Sequence, residues 1–142
     1  MKLVDINVLL YSVNKDTTHH KIARLCWENL LSGEETTGLS WIVILGFIRI
    51  ITNGRIMTNP LDVDRALALV DEWLQQPNVQ IVSPSNRHWA ILHQLLSDLG
   101  SAANLTTDAH IAALAIENGA SLYSFDSDFS RFNNLKWINP II

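Results

Sequence analysis

Leu3-Val4-Asp5-Ile6-Asn7-Val8-Leu9-Leu10-Tyr11, close to the amino terminus, is the stretch on which the fold class turns. The apolar pair Leu3-Val4 reads as a short buried strand that stops at an acid, and the residues after Asp5 read as a helix. A strand that gives way to a helix within one residue is the first half of a βαβ unit, provided the alternation repeats downstream.

It does repeat. Over residues 18–31, Ile22, Leu25, Cys26 and Leu30 fall three or four apart and Gly33 follows as a stop, the pattern of an amphipathic helix. Residues 36–39 favour a strand, after which Ser40 can cap a helix through Thr52 that is apolar nearly all round except at Arg49. Residues 62–76 carry Val63, Leu67, Val70 and Leu74 at helical spacing, with acids in the first turn and Pro77 beyond the end. Residues 79–82 form a strand between Pro77 and Pro84, and Ser85 can cap a helix to Leu99, stopped by Gly100. Thr106 or Thr107 can cap a further helix with Ile111, Leu114 and Ala115 on its apolar face, ended by Gly119; residues 121–125 and 136–138 are the last strands. The class is therefore α/β, a central parallel sheet flanked on both faces by helices.

At 142 residues the chain is expected to be one domain throughout. Its 48% hydrophobic content supports a packed core and excludes disorder and a coiled coil. The longest apolar stretch, residues 41–51, is broken by Gly46 and Arg49 and falls short of the ~20 apolar residues that span a bilayer. The acid at position 5 interrupts what a secretory leader would need as an apolar segment, so the expected location is the cytoplasm. A single cysteine, Cys26, excludes an internal disulfide and a cysteine zinc cluster; on the apolar stripe of its helix it reads as a small hydrophobe. A net charge of −4 is not that of a general polyanion binder, so work on nucleic acid requires cations or a local basic patch.

In a parallel sheet, ligands collect outside the carboxyl ends of the strands. Asp5 follows the first strand, Asp126 and Asp128 follow the strand after Gly119, and Asp108 sits in the first turn of a helix. Three separate segments thus offer carboxylates to one edge, where they repel one another unless protonated or bridged by a cation; hard oxygen ligands suit Mg²⁺ or Mn²⁺ and phosphoryl chemistry. Singly, each acid has a plainer explanation, since an Asp favours a helix N-terminus and Asp126-Ser127-Asp128 fits an Asx-rich turn. The five histidines show no zinc-ligand spacing with a cysteine and read as packing residues; His110 projects away from the face of Asp108 and is left out of the site. Arg49 and Arg131 are open between phosphate contacts and charged ends of apolar stems, and the five tryptophans read as core fillers.

Four stretches carry a resemblance over nearly the whole chain: Val4-Asp5-Ile6-Asn7-Val8-Leu9-Leu10-Tyr11; Ser40-Trp41-Ile42-Val43-Ile44-Leu45-Gly46-Phe47-Ile48-Arg49; Asn104-Leu105-Thr106-Thr107-Asp108-Ala109-His110-Ile111-Ala112-Ala113-Leu114-Ala115; and Ser124-Phe125-Asp126-Ser127-Asp128-Phe129-Ser130-Arg131-Phe132. Together they resemble a PIN-domain ribonuclease of the VapC toxin type. The resemblance implies a PIN-like domain, an acidic Mg²⁺ or Mn²⁺ site, endonucleolytic cleavage of RNA, a cognate antitoxin and a homodimer. It implies Asp5, Asp108 and Asp126 as metal ligands and Asp5, Asp108, Asp126 and Asp128 as the catalytic acids, with Asn7 and Ser124 as supporting hydrogen-bonding groups. It also marks a departure, because Gly46 stands where many PIN domains have a glutamate, and Glu34 and Glu35 lie before the strand, badly placed to substitute. That departure leaves open a catalytically weak PIN-like module that binds RNA or protein; a phosphatase or DNA nuclease using the same acids is a third possibility. More apolar surface on residues 41–51 and 62–76 than one small sheet can cover fits a dimer or a groove for an antitoxin helix.

Overall fold

A computed structural model describes residues 1–142. The strands are β1 (Lys2–Val4), β2 (Thr37–Ser40), β3 (Val79–Val82), β4 (Ser121–Tyr123) and β5 (Lys136–Ile138). The helices are α1 (Ile6–Val13), α2 (His20–Ser32), α3 (Trp41–Ile51), α4 (Val63–Leu74), α5 (His88–Leu99) and α6 (Thr106–Glu117), with 3₁₀ turns at Ala103–Leu105 and Ser127–Arg131.

All five strands are parallel in the order β3-β2-β1-β4-β5, with Leu3 opposite Gly38 on one side and Leu122 on the other. Leu3, Val4, Leu39 and Leu122 are buried because both faces are covered. The chain moves outward from β1 through β2 to β3 and then crosses back to β4, so right-handed connections lay α1 to α4 on one face and α5 and α6 on the other. Helix α1 packs against both α2 and α3, α3 packs against α4, and α5 packs on α6. The α/β class and the helices on both faces are as the sequence predicts.

The buried stripes of two helices differ from the spacing-based reading. On α2 the inward residues are Ala23, Trp27 and Leu30, while Ile22 and Leu25 face outward; on α4 they are Ala66, Val70 and Trp73, with Val63 and Leu67 outside. An aromatic seam decides the rotation. The Trp27 and Trp73 rings meet edge to face at 5.5 Å, and Trp73 meets Phe47 of α3 at 4.9 Å. Burying these large rings removes more apolar area than burying the leucines on the neighbouring face.

Helix ends are set partly by other residues than the expected caps. Asp5 and Asp62 cap α1 and α4 through Ile6 N at 2.7 Å and Arg65 N at 2.8 Å. Ser40 precedes α3 without a capping hydrogen bond, and α5 begins later than expected, at His88, with Ser85 Oγ accepting from Arg87 N instead. Neither Thr106 nor Thr107 caps α6: the preceding 3₁₀ turn runs straight into it, and the Thr106 hydroxyl donates to Ala103 O. Gly100 and Gly119 end their helices in the left-handed region, φ 70° and 61°, where a Cβ is unfavourable.

Candidate metal centre

Strand order reverses between β1 and β4, and the crevice at their carboxyl ends is where a parallel sheet opens to ligands. Register fixes what meets there. Val4 pairs with Tyr123, Asp5 N donates to Tyr123 O at 3.0 Å, and the next residue of each strand, Asp5 and Ser124, therefore face one another. The Ser124 hydroxyl donates to Asp5 Oδ2 at 2.8 Å and accepts from Asn7 Nδ2 at 3.2 Å and Asp126 N at 3.1 Å. Asn7 also donates to Asp5 Oδ2 at 3.3 Å and accepts from Phe125 N through its side-chain oxygen at 3.2 Å. One buried hydroxyl and one amide thus tie the end of β1, the start of α1 and the segment after β4 into a single unit.

Above this network stand three half-buried carboxylates. Asp108 comes from the first turn of α6, and Asp126 and Asp128 from the 3₁₀ turn after β4, with carboxylate oxygens from all three within 4.8 Å of one another. Asp126 caps its own turn by accepting from Asp128 N at 2.9 Å, which folds Asp128 back beside it. Burial pushes the Asp108 carboxyl up to about 6, reinforced by the negative charges of Asp5, Asp126 and Asp128. Burial also raises Asp5, against the lowering effect of its hydrogen bonds to Ser124 and Ile6, and Asp126 raises it further.

The four acids singled out in the sequence therefore converge, but not as one ring. Asp128 completes the open cluster with Asp108 and Asp126, whereas Asp5 lies beneath it, 6% exposed, its oxygens engaged by Ile6 N, Ser124 and Asn7. Glu34 and Glu35 do not replace the glutamate missing at Gly46, since Glu35 pairs with Lys2 and the amino terminus at the opposite, amino-terminal end of the strands. At Gly46 a Cβ would lie 2.6 Å from Ile6 Cδ1, so the isoleucine occupies the space a longer side chain would need. Arg131 and Arg49 are exposed and form no ion pair with the acids.

Two features escaped the sequence reading. His88 Nε2 and His110 Nδ1 lie 2.9 Å apart, and His88 Nδ1 lies 3.2 Å from Glu117 Oε2, forming a buried chain between α5 and α6. The spacing of His110 and Glu117 on one face of α6 was a partial signal; the partner on α5 was not readable from spacing. Beside the acids, the Phe125 ring stacks on His19 at 5.1 Å and meets Tyr11 edge-on at 5.1 Å, an arrangement that joins residues 106 or more positions apart in sequence.

The model of the PIN domain matches residues 2–135. The chain belongs to the PIN-domain family. It is 43% identical over 140 residues to Ribonuclease VapC37 of Mycobacterium tuberculosis, covering 99% of this chain and 97% of that one. Ribonuclease VapC33 of the same organism is 42% identical over 141 residues, covering 99% of each. Among solved structures, VapBC2 from Rickettsia felis, bound to a DNA fragment from their promoter, superposes with a TM-score of 0.72 over 97% of both chains at 21% identity, a likeness of fold. Membership of the PIN family agrees with the five-stranded parallel sheet flanked by helices. Full-length relatives named as ribonucleases give the reading of Gly46 as the mark of a catalytically weak regulator no support.

Proposed function

We propose that the chain is a metal-dependent endoribonuclease that hydrolyses RNA phosphodiester bonds as the toxin of a toxin–antitoxin pair. The observation that carries this reading is the convergence of Asp108, Asp126 and Asp128 within 4.8 Å over a buried Asp5, in a crevice without a cysteine or histidine ligand. Such an all-oxygen donor set fits Mg²⁺ or Mn²⁺; burial first and then the charges of Asp5, Asp126 and Asp128 raise Asp108, and a divalent cation offsets that repulsion. The ribonuclease names of relatives at 42 and 43% identity support RNA as the substrate, and the VapBC neighbour supports an antitoxin as the partner.

Asp5, Asp108 and Asp126 would hold the ion, with Ser124 and Asn7 fixing the Asp5 carboxylate from below. When bound, the ion would supply Lewis-acid chemistry, making water more acidic and neutralising charge on the scissile phosphate. Asp128, on the open side, would accept the proton of the attacking water. In-line displacement at phosphorus would break the bond to the 3′ oxygen, which takes its proton from solvent, leaving a 5′-phosphate and a 3′-hydroxyl.

The exposed Trp41 and Leu45, one turn apart on α3, and the exposed Val63 and Leu67 on α4 support the expected contact surfaces for a second copy and an antitoxin. No helix of the chain is long and apolar enough to cross a membrane.

The test is cleavage of structured and single-stranded RNA, with matched DNA, in Mg²⁺, Mn²⁺ or EDTA, by the native protein and by Asp5→Asn and Asp108→Asn. RNA cleavage that disappears in EDTA and in both variants is expected. Folded protein that binds metal and leaves every RNA intact would overturn the assignment.

A further inference from the structure

An acidic chain with four carboxylates at its cleavage end repels the phosphates that flank a scissile bond, so substrate affinity must come from cations elsewhere. A group of cations gathers away from the acidic crevice. A cleft of about 770 Å³ between the end of α1, the start of α2 and the α3–α4 connection is lined by Lys15, His20, Arg24 and Arg65. Lys15 and Arg65 are exposed and form no ion pair; Arg24 shares its charge with Glu28 at 2.9 Å. The one acid in the lining, Asp16, already accepts from Asn59 Nδ2 at 2.9 Å, while Asp62 and Asp64 lie outside it.

Helix α1 connects this cleft to the acids. Its first residue follows Asp5 and its last, Val13, lines the cleft, so the two are about 12 Å apart along the helix. Between them lies the half-buried group of Tyr11, His19 and Phe125, whose last member directly precedes Asp126. His20 anchors the same turn, with its Nδ1 2.8 Å from Tyr11 O. Acids, aromatic rings and cations therefore follow one another from the start of α1 to its end, the order in which a bound strand would present a scissile phosphate, a base and further phosphates.

We propose that the cleft containing Lys15, Arg24 and Arg65 binds the phosphodiester backbone of the RNA substrate a few nucleotides from the cleavage point. The proposal rests on the ribonuclease reading for its substrate. The cations supply sequence-independent attraction and the register of the strand, not base recognition. Lys15 and Arg65, neither in an ion pair, together with the side-chain amides of Asn14 and Asn59, favour a polyanion with evenly repeated charges over an apolar protein helix.

The experiment measures binding of a short labelled single-stranded RNA to the full chain in EDTA across a salt series, for the native protein and for Lys15→Ala/Arg65→Ala. Both side chains are exposed, so the variant should fold normally. Loss of two phosphate contacts should weaken binding about tenfold at moderate salt and reduce the slope of log K against log salt by about 1.4. In the cleavage assay KM should rise by a similar factor with kcat unchanged. Unchanged affinity and slope, or no RNA binding by the native protein, overturns the proposal. Loss of poly-glutamate binding with RNA binding intact also overturns it and assigns the cleft to an acidic protein segment. A native protein that binds RNA through these cations but never cleaves it upholds the cleft and instead refutes the ribonuclease reading.

Discussion

Gly46 of α3 and Ile6 of α1 are packed so closely that the position of one dictates the size of the other: a Cβ at Gly46 would stand 2.6 Å from Ile6 Cδ1 and 3.1 Å from Cγ1. Gly46→Ala sets two effects against each other. Removing a mid-helix glycine favours the helix by about 1 kcal/mol, while overpacking costs about 1 to 3 kcal/mol. A small net destabilisation is expected, and in an Ile6→Ala background the same change should become stabilising. A double-mutant cycle from urea unfolding measures this coupling; additive effects would show that the two residues do not share the space.

Asp108 makes the metal-free protein sensitive to pH. Its carboxyl in the folded state titrates at about 6, against 3.8 for the ordinary aspartate, so between these values the folded chain binds more protons than the unfolded one. Stability from this group is therefore greatest at the acid end of the window and falls as pH rises through about 6. Asp5, also raised, acts in the same direction. In EDTA, Asp108→Asn should raise the melting temperature at about pH 7.5 and flatten the dependence between about pH 4 and 6. Added Mg²⁺ should stabilise the native protein more at the higher pH, where protons no longer compete for the acids. Thermal melts with and without Mg²⁺ across this range test both outcomes; equal Mg²⁺ effects at both ends would contradict them.

Much of this was legible before the fold was known, because βα alternation and acids after strands are local signals. The strands, the order of the helices and all four acids of the crevice follow from residues a few positions apart. What was not legible is decided across the chain. The rotation of α2 depends on Trp73 of α4, and the role of His88 depends on Glu117 and His110 of α6. The division between a buried Asp5 and an open ring of Asp108, Asp126 and Asp128 depends on the β1–β4 register. The cationic cleft was likewise hidden, since Lys15, Arg24 and Arg65 are spread over fifty-one positions and form no run.

Ser124 is expected to matter more than its size suggests. Its hydroxyl donates to Asp5 and accepts from Asn7 and Asp126 N, so Ser124→Ala leaves a buried carboxylate and a backbone N–H without their partner. A stability loss of about 1 to 3 kcal/mol follows from the unmet groups. Metal affinity should fall about 10- to 100-fold, as when groups that orient metal-binding carboxylates are removed. Because the lost bond is one that lowers the Asp5 pKa, the pH dependence of metal binding should also move upward. Calorimetric Mn²⁺ titrations at several pH values distinguish this from a purely structural defect, which would lower stability without moving the pH profile.

Glu117 holds α5 to α6 from a side chain only 1% exposed. Its carboxylate accepts from Ser85 N and Ser85 Oγ, both at 3.2 Å, and meets His88 Nδ1, while its backbone oxygen accepts from Arg87 at 2.6 Å. Glu117→Ala removes the acceptor for three groups at once and should cost about 2 to 4 kcal/mol. Glu117→Gln keeps one oxygen and most of the volume, so it should lose less, with His88 left facing either the amide oxygen or its NH₂. His88→Phe tests the same chain from the other end: it replaces a polar link by an apolar ring of similar shape, leaving Glu117 buried with fewer donors. Urea unfolding should rank Glu117→Ala as the most destabilised of the three, and amide exchange should show faster opening where α5 meets α6. If Glu117→Ala unfolds like the native protein, the buried chain contributes nothing to the packing of the two helices.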